Sequence, residues 1–300
     1  MDLVTRAERL PKRGETVAGS MFATFLGGKG LNQAVAARRM GADVAMVARV
    51  GDDAFGRQVS AALDQEGVDR ARLIVDGEAG TGTATILVEH SGDNCIIVVP
   101  GANGALSASD VDAAGELMAA ARVVLLQLEV PIDTVVRAAE LARAAGATVL
   151  LTPAPARPLP DRLTALIDVL LPNQTELSTL LGDDPPPVDG ARKLLERGCG
   201  AVVVTLGERG AMVVTPDGEQ QIQPLRVAAV DTVAAGDAFA GTLAALLAEA
   251  SISLPGRPGN KPLLQAAHWA AAAGALAVTR EGALPSLPRR AEVERLMSDE

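Results

Sequence analysis

The sequence predicts an α/β fold, a doubly wound parallel sheet flanked by helices, with a small β lid. Three observations carry that expectation. Short apolar runs alternate with segments of helical period along much of the chain, as in a parallel sheet covered on both faces. Two regions, 4–25 and 72–99, break the rhythm. The 300 residues are 48% hydrophobic, with Gly and Pro dispersed, which suits one globular unit with a sizeable core.

Taken in order, Val4–Phe25 lacks helical spacing, Val44–Val50 reads as a strand, and Phe55–Glu66 as a helix. Within 72–99, Thr83–Val88 and Asn94–Val99 alternate and are joined by Ser91-Gly92-Asp93, a good hairpin turn. These regions read as a small antiparallel sheet able to act as a lid. Strands are expected at Arg122–Leu128, Ala147–Leu151, Asp168–Leu171 and Ala201–Leu206, and helices at Ile132–Ala145, Thr175–Leu181 and Ala238–Ala250. Ala271–Val278 reads as part of a buried helix, too short for a membrane span. Pro185-Pro186-Pro187 marks a rigid loop, and Pro255–Pro262 a second. Neither reads as a linker, so a single domain over 1–300 is expected, with its lid formed by about 4–25 and 72–99.

The net charge of −10 disfavours nucleic acid and anionic membrane surfaces as partners. Met1–Arg13 is charged and has no apolar segment of a signal peptide. Cys95 and Cys199 sit in apolar surroundings and read as buried, reduced thiols. A cytoplasmic protein is expected. His90 and His268 read as surface or satisfied residues, and Trp269 as core.

Two segments carry chemistry. In Asp231-Thr232-Val233-Ala234-Ala235-Gly236-Asp237, small residues lead into an apolar helix. Unpaired N–H groups at such a helix start attract anions, and the absence of bulk at Ala234, Ala235 and Gly236 lets a phosphate approach. Asp237 is explained equally by a favourable helix start and by a group that orients a hydroxyl for phosphoryl transfer. An ordinary Asp, with a pKa of about 3.9, is expected to suffice. In Gly27-Gly28-Lys29-Gly30-Leu31-Asn32-Gln33, glycines open a second helix, and Asn32 offers a donor and acceptors suited to sugar hydroxyls. This is neither a P-loop nor a dinucleotide fingerprint.

The two segments, in this order, resemble the two signatures of the ribokinase (PfkB-type) carbohydrate kinases. The Ala-Ala-Gly-Asp form is similar to ribokinase proper. Further matches span the chain: Gly14-Glu15-Thr16, Val50-Gly51-Asp52-Asp53, Pro100-Gly101-Ala102-Asn103, Gln127-Leu128-Glu129, Pro153-Ala154-Pro155-Ala156-Arg157, Asn173-Gln174-Thr175-Glu176, Thr205-Leu206-Gly207 through Gly210, and Val278–Ser286. The resemblance implies a ribokinase-like fold and transfer of the ATP γ-phosphate to the 5-hydroxyl of D-ribose. It implies Asp237 as catalytic base and Ala234, Ala235 and Gly236 as the anion hole. Asp2, Gly28, Lys29, Gly30, Asn32 and Glu129 would bind the sugar. Asn173 and Glu176 would organise Mg²⁺ and the phosphates, although a plain helix cap explains them too. Thr205, Gly207, Gly210 and Gly236 would line the ATP site. Asp231, Val233, Ala277, Arg280, Gly282 and Ser286 resemble the shell of a monovalent cation, K⁺. The lid implies a homodimer.

Two departures stand out. Family members open with an apolar strand ending in Asn-x-Asp, of which only Asp2 is present, so the first strand reads as missing and the start as displaced by roughly 12–15 residues, a strand plus a turn. Thr152 replaces the usual Asn. A kinase for 2-deoxyribose, a ketohexose or a nucleoside, and a non-catalytic sugar-binding regulator, are the alternatives.

Overall fold

The computed structural model describes residues 1–250 and 260–298. Strands β1 (Asp2–Ala7) and β2 (Gly19–Phe25) pair antiparallel. Helix α1 (Lys29–Arg39) follows, then a β-α-β unit of β3 (Ala45–Gly51), α2 (Ala54–Glu66) and β4 (Asp69–Asp76), with β3 and β4 parallel. Gly67, at φ +69°, ends α2 in the left-handed conformation that lets the chain turn back into β4. Strands β5 (Thr83–Val88) and β6 (Asn94–Val99) form the expected hairpin around Ser91-Gly92-Asp93. Because β1 also pairs with β5, a four-stranded sheet results, in the order β2-β1-β5-β6.

Two expectations change here. Residues 72–76 do not join the lid sheet, since they lie in β4, in parallel register with Val47–Gly51, and Leu73 packs into the core beside α2. Cys95 is exposed, whereas Cys199 is buried. The reason is that β6 is a sheet edge with both faces open, so Ile96, Ile97, Val98 and Val99 are exposed with it.

The larger layer begins with α3 (Ala108–Asp112) and α4 (Gly115–Ala120) and continues through β7 (Val123–Leu126), α5 (Ile132–Ala144), β8 (Thr148–Leu151), α6 (Asp161–Thr164), β9 (Val169–Leu170), α7 (Gln174–Leu181), α8 (Pro187–Glu196) and β10 (Ala201–Thr205). β11 (Ala211–Thr215) and β12 (Gly218–Ile222) add an antiparallel hairpin, giving the order β12-β11-β10-β9-β8-β7. This hairpin is not marked by the apolar pattern of the sequence, because β12 is Gly-Glu-Gln-Gln-Ile and largely exposed. Alternation sends Val149, Leu151, Val202 and Val204 into one core with α5, α7 and α8, and Leu150 and Val203 into another with α9 (Ala235–Glu249) and α10 (Asn260–Ala277). Both faces are thus covered, which is why these strands read as continuous apolar runs. α11 (Arg290–Ser298) completes the described fold. Residues 255–259 of the second proline loop lie outside the described residues, and Asn260–Pro262 belong to α10.

Among the described residues β3 bonds only to β4 and β7 only to β8, so the parallel strands fall into two separate sheets. The chain opens in the lid sheet, where Met1 is buried and its ammonium donates to Gly82 O over 2.9 Å. No helix among the described residues is long and apolar enough to cross a membrane.

Candidate active site

The start of α9 and the start of α1 meet at one point. They approach closely because Gly241 has no side chain: a Cβ there would sit 2.5 Å from Gln33 O and 2.6 Å from the Ala36 Cβ. Asp237, in the first turn of α9, is consequently buried against α1. Asn32 Nδ2 donates to Asp237 Oδ2 and Gln33 Nε2 donates to Oδ1, each over 2.9 Å. Gln127, just past β7, donates to Gln33 Oε1 over 2.6 Å and so orients that amide.

Burial pushes the Asp237 carboxyl above its ordinary range, while the Lys29 charge and the two amides pull it back. The carboxylate is therefore not the ordinary one expected from sequence. Desolvation makes it more basic, and its hydrogen bonds favour the ionised form. Asn32 Oδ1 is buried without a partner. A buried amide oxygen with an unmet acceptor site fits a ligand hydroxyl.

Ala234, the N-cap of α9, is the single non-glycine residue with positive φ among the described residues, at φ +61° and ψ 5°. The Ala235 N–H donates to Thr232 O over 3.4 Å, which leaves the N–H groups of Gly236 and Asp237 as the donors at this helix start. A Cβ on Gly236 would meet nothing within 4 Å, so the helix start is uncrowded at that position, which suits the approach of an anion.

Gly28, at φ +99°, is the N-cap of α1, and the Lys29 N–H that follows donates to Glu129 Oε2 over 2.9 Å. Gly27 is fixed by crowding, since a Cβ there would lie 2.2 Å from Asp2 Oδ2. Gly30 faces Met46 Cε at 3.3 Å and Gln127 Oε1 at 3.5 Å in the same sense. Burial also pushes the carboxyls of Asp2, Glu129 and Glu176 upward. Lys29 acts on all of these and on Asp237, so one lysine, joined at Asp2 by the Met1 ammonium, stands against four desolvated carboxyl groups. Such a cleft favours cations and hydroxyl donors.

Asn173 and Glu176 open α7 as a capping box: Asn173 Oδ1 accepts the Glu176 N–H and Glu176 Oε2 accepts the Asn173 N–H, each over 2.8 Å. This is the cap that the sequence allowed. Glu176 Oε1 takes no part in this box, leaving one carboxylate oxygen for a divalent ion that keeps most of its waters. Asn173 pairs with Thr205 in an isolated parallel bridge, which joins the ends of the β9 and β10 segments. Gly207, at φ +60°, has open space before it. Gly210 is explained otherwise, because a Cβ there would lie 2.1 Å from Ile222 O, so its smallness serves the β11–β12 hairpin.

The expected cation shell divides. Asp231 Oδ1 accepts the Val233 N–H over 3.0 Å and Oδ2 the Gly282 N–H over 2.9 Å, so this carboxylate ties the 231–237 loop to the 278–286 segment. Ser286 is buried and donates to Ala283 O. The Ala277 carbonyl accepts the Arg280 N–H, and the Arg280 side chain pairs with Glu292. Among the described residues no three acidic, His or Cys side chains cluster as a metal site, so a monovalent ion here would depend on backbone carbonyls. His90 and His268 are exposed, and Trp269 packs in the core beneath Arg290, 5.6 Å from its guanidinium.

Gln33 went unassigned in the sequence. Neighbours on a helix point about 100° apart, so period alone does not join Asn32 and Gln33 to one group. The signal was its place inside the glycine segment.

The family described as pfkB family carbohydrate kinase matches residues 1–290. The ribokinase of Haemophilus influenzae is 38% identical, over 97% of this chain and 93% of that one. The deoxyribokinase of Salmonella typhi is 39% identical over 81% of both chains. Among solved structures, Arabidopsis thaliana ribokinase complexed with ribose and ATP superposes with a TM-score of 0.88 at 32% identity, covering 99% of this chain and 95% of that one.

Proposed function

Because this chain belongs to the pfkB family of carbohydrate kinases, we propose that it transfers the γ-phosphoryl group of ATP to the 5-hydroxyl of D-ribose, giving D-ribose 5-phosphate and ADP. The observation that carries this reading is the buried Asp237 carboxylate, gripped by Asn32 and Gln33 beside an open helix start.

In this reading Asp237 accepts the proton of the 5-hydroxyl as its oxygen attacks the γ-phosphorus. The bond to the β-phosphate oxygen breaks and ADP leaves. Negative charge on the transferring group is met at the helix start formed by Ala234, Ala235 and Gly236, chiefly by the N–H groups of Gly236 and Asp237, since that of Ala235 donates to Thr232 O. Asn32, through its unpartnered Oδ1, holds the sugar with Asp2, Glu129 and the Gly28–Gly30 backbone. Lys29 offsets the acidic cleft. Thr205, Gly207 and Gly210 flank the nucleotide, with the role of Gly210 indirect. Mg²⁺, when bound, would neutralise the phosphate oxygens, and Asn173 and Glu176 would hold it through water. K⁺ would sit on carbonyls near Asp231, Val233, Ala277, Arg280, Gly282 and Ser286, where it would brace the anion-hole loop.

The same reading makes residues 1–300 one catalytic domain with the β1-β2-β5-β6 sheet as its lid. Two copies would pair through exposed lid residues such as Phe22, Ile97 and Val98. A cytoplasmic location suits an ATP-consuming enzyme. Similarity to a deoxyribokinase supports 2-deoxyribose as a second reading. The test is sugar-dependent ADP formation with Mg²⁺ and K⁺ on D-ribose, 2-deoxy-D-ribose and D-fructose. The highest kcat/KM should fall on ribose. No sugar-dependent turnover at all would sink the kinase reading.

A further inference from the structure

Away from this cleft, the chain gathers positive charge in one place. A surface cavity of about 490 Å³ beside α11 is lined by Arg39, Arg280, Arg289 and Arg295, with Glu292 as its one acidic residue. Four guanidiniums in one cavity are a concentration against the trend in a chain of net charge −10.

They are not equally committed. Arg39 is bound bidentately to Glu66, and its Nη1 donates to the carbonyls of Leu284 and Leu287. Arg280 is held by Glu292 over 2.5 Å. Arg289 and Arg295 are exposed; Arg295 Nε donates to Ala291 O over 3.2 Å, and among the described residues neither guanidinium is in a salt bridge, their charges acting only at longer range on Glu66 and Glu292. The cavity therefore has two guanidiniums committed to carboxylates and two exposed ones that are not. Planar forks arranged in this way match the oxygens of a phosphoryl group.

We propose that this cavity is a second, non-catalytic site for a phosphoryl dianion, either free phosphate or a phosphate monoester. The anion is bound by Arg289 and Arg295 and competes with Glu292 for Arg280. Arg280 lies two residues before Gly282, whose N–H holds Asp231, and Asp231 leads into Ala234–Asp237. Occupancy thus has a physical route to the anion hole. The site stands on its own geometry, whichever sugar is the substrate.

The test uses the whole chain and compares wild type with Arg289→Ala/Arg295→Ala and with Arg295→Glu alone. Thermal unfolding and isothermal titration are run with inorganic phosphate, with glycerol 2-phosphate, and with chloride at matched ionic strength. Phosphate bound at the catalytic helix start contributes equally to all three proteins, so the difference between them reports the cavity. Wild type should gain Tm in at least one phosphoryl arm beyond chloride, and the arm that responds identifies the source. Both variants should bind that ligand about tenfold more weakly, as expected for lost charge-assisted hydrogen bonds. They should keep their unliganded Tm and sugar-dependent turnover. Identical phosphoryl responses in wild type and variants would overturn the site.

Discussion

Gln33 on α1 donates to Oδ1 of Asp237 on α9 over 2.9 Å, although the two lie 204 positions apart in the chain. With Asn32 on the other oxygen, the carboxylate is fixed by one helix turn and cannot rotate away from the open helix start. Gln33→Met keeps the volume and removes one donor. The ionised form then loses support, so the carboxyl moves further upward from its already raised position. The acid limb of the kcat/KM profile should shift to higher pH, and kcat should fall about tenfold. An unmoved acid limb would show that Gln33 does not tune the base.

Asp237→Asn separates chemistry from stability. Turnover should fall by roughly 10²–10⁴-fold, the usual span for a positioned general base, while ribose binding persists in titration calorimetry. The stability effect has the opposite sign. Burial raises the folded-state pKa above the ordinary 3.8, so the folded protein binds more protons than the unfolded one above that pH, and stability falls as pH rises through the window. The variant should match wild-type Tm below about pH 3.8, exceed it progressively above, and keep a constant lead once the folded-state group is ionised. A variant less stable than wild type at pH 7 would contradict this.

Ala234 holds the left-handed conformation normally left to glycine. For an L-residue that geometry costs roughly 1–2 kcal/mol, whereas glycine loses roughly 0.5–1 kcal/mol more backbone entropy on folding. Ala234→Gly should therefore gain up to about 1 kcal/mol in denaturant unfolding, and Ala234→Val should lose more than that. Equal stability of all three would mean that the turn relaxes without cost.

These three residues show what was legible beforehand. Asp237 and its small-residue approach stood out, because composition and helix start coincide within a few positions. The sheet was legible where both faces are buried, as in Val202–Val204, and illegible in β12, whose polar strand pairs only through backbone. Residues 72–76 were misassigned to the lid, since local alternation does not say which neighbour a strand meets. The raised carboxyls of Asp2, Glu129 and Glu176 could not be foreseen, because desolvation arises only when distant segments close over one cleft.

Gly27→Ala tests the sugar side without touching the base. The new Cβ would fall 2.2 Å from Asp2 Oδ2, so the Asp2 side chain must move. If Asp2 grips a sugar hydroxyl, KM for ribose should rise about tenfold, equivalent to roughly 1.4 kcal/mol, with kcat changed much less. A fall in kcat at constant KM would place Asp2 outside the sugar contact.

Glu176→Gln distinguishes a helix cap from a metal ligand, two roles the sequence left open. The amide oxygen of Gln can still accept the Asn173 N–H, and Asn173 Oδ1 still accepts the N–H of residue 176, so the capping box persists. Only the negative charge is lost. Burial already makes that charge unfavourable, so its removal should leave Tm unchanged or slightly higher at pH 7. If Glu176 organises Mg²⁺, the Mg²⁺ concentration giving half-maximal turnover should rise by about tenfold or more. A normal Mg²⁺ dependence with a lowered Tm would assign Glu176 to the cap alone.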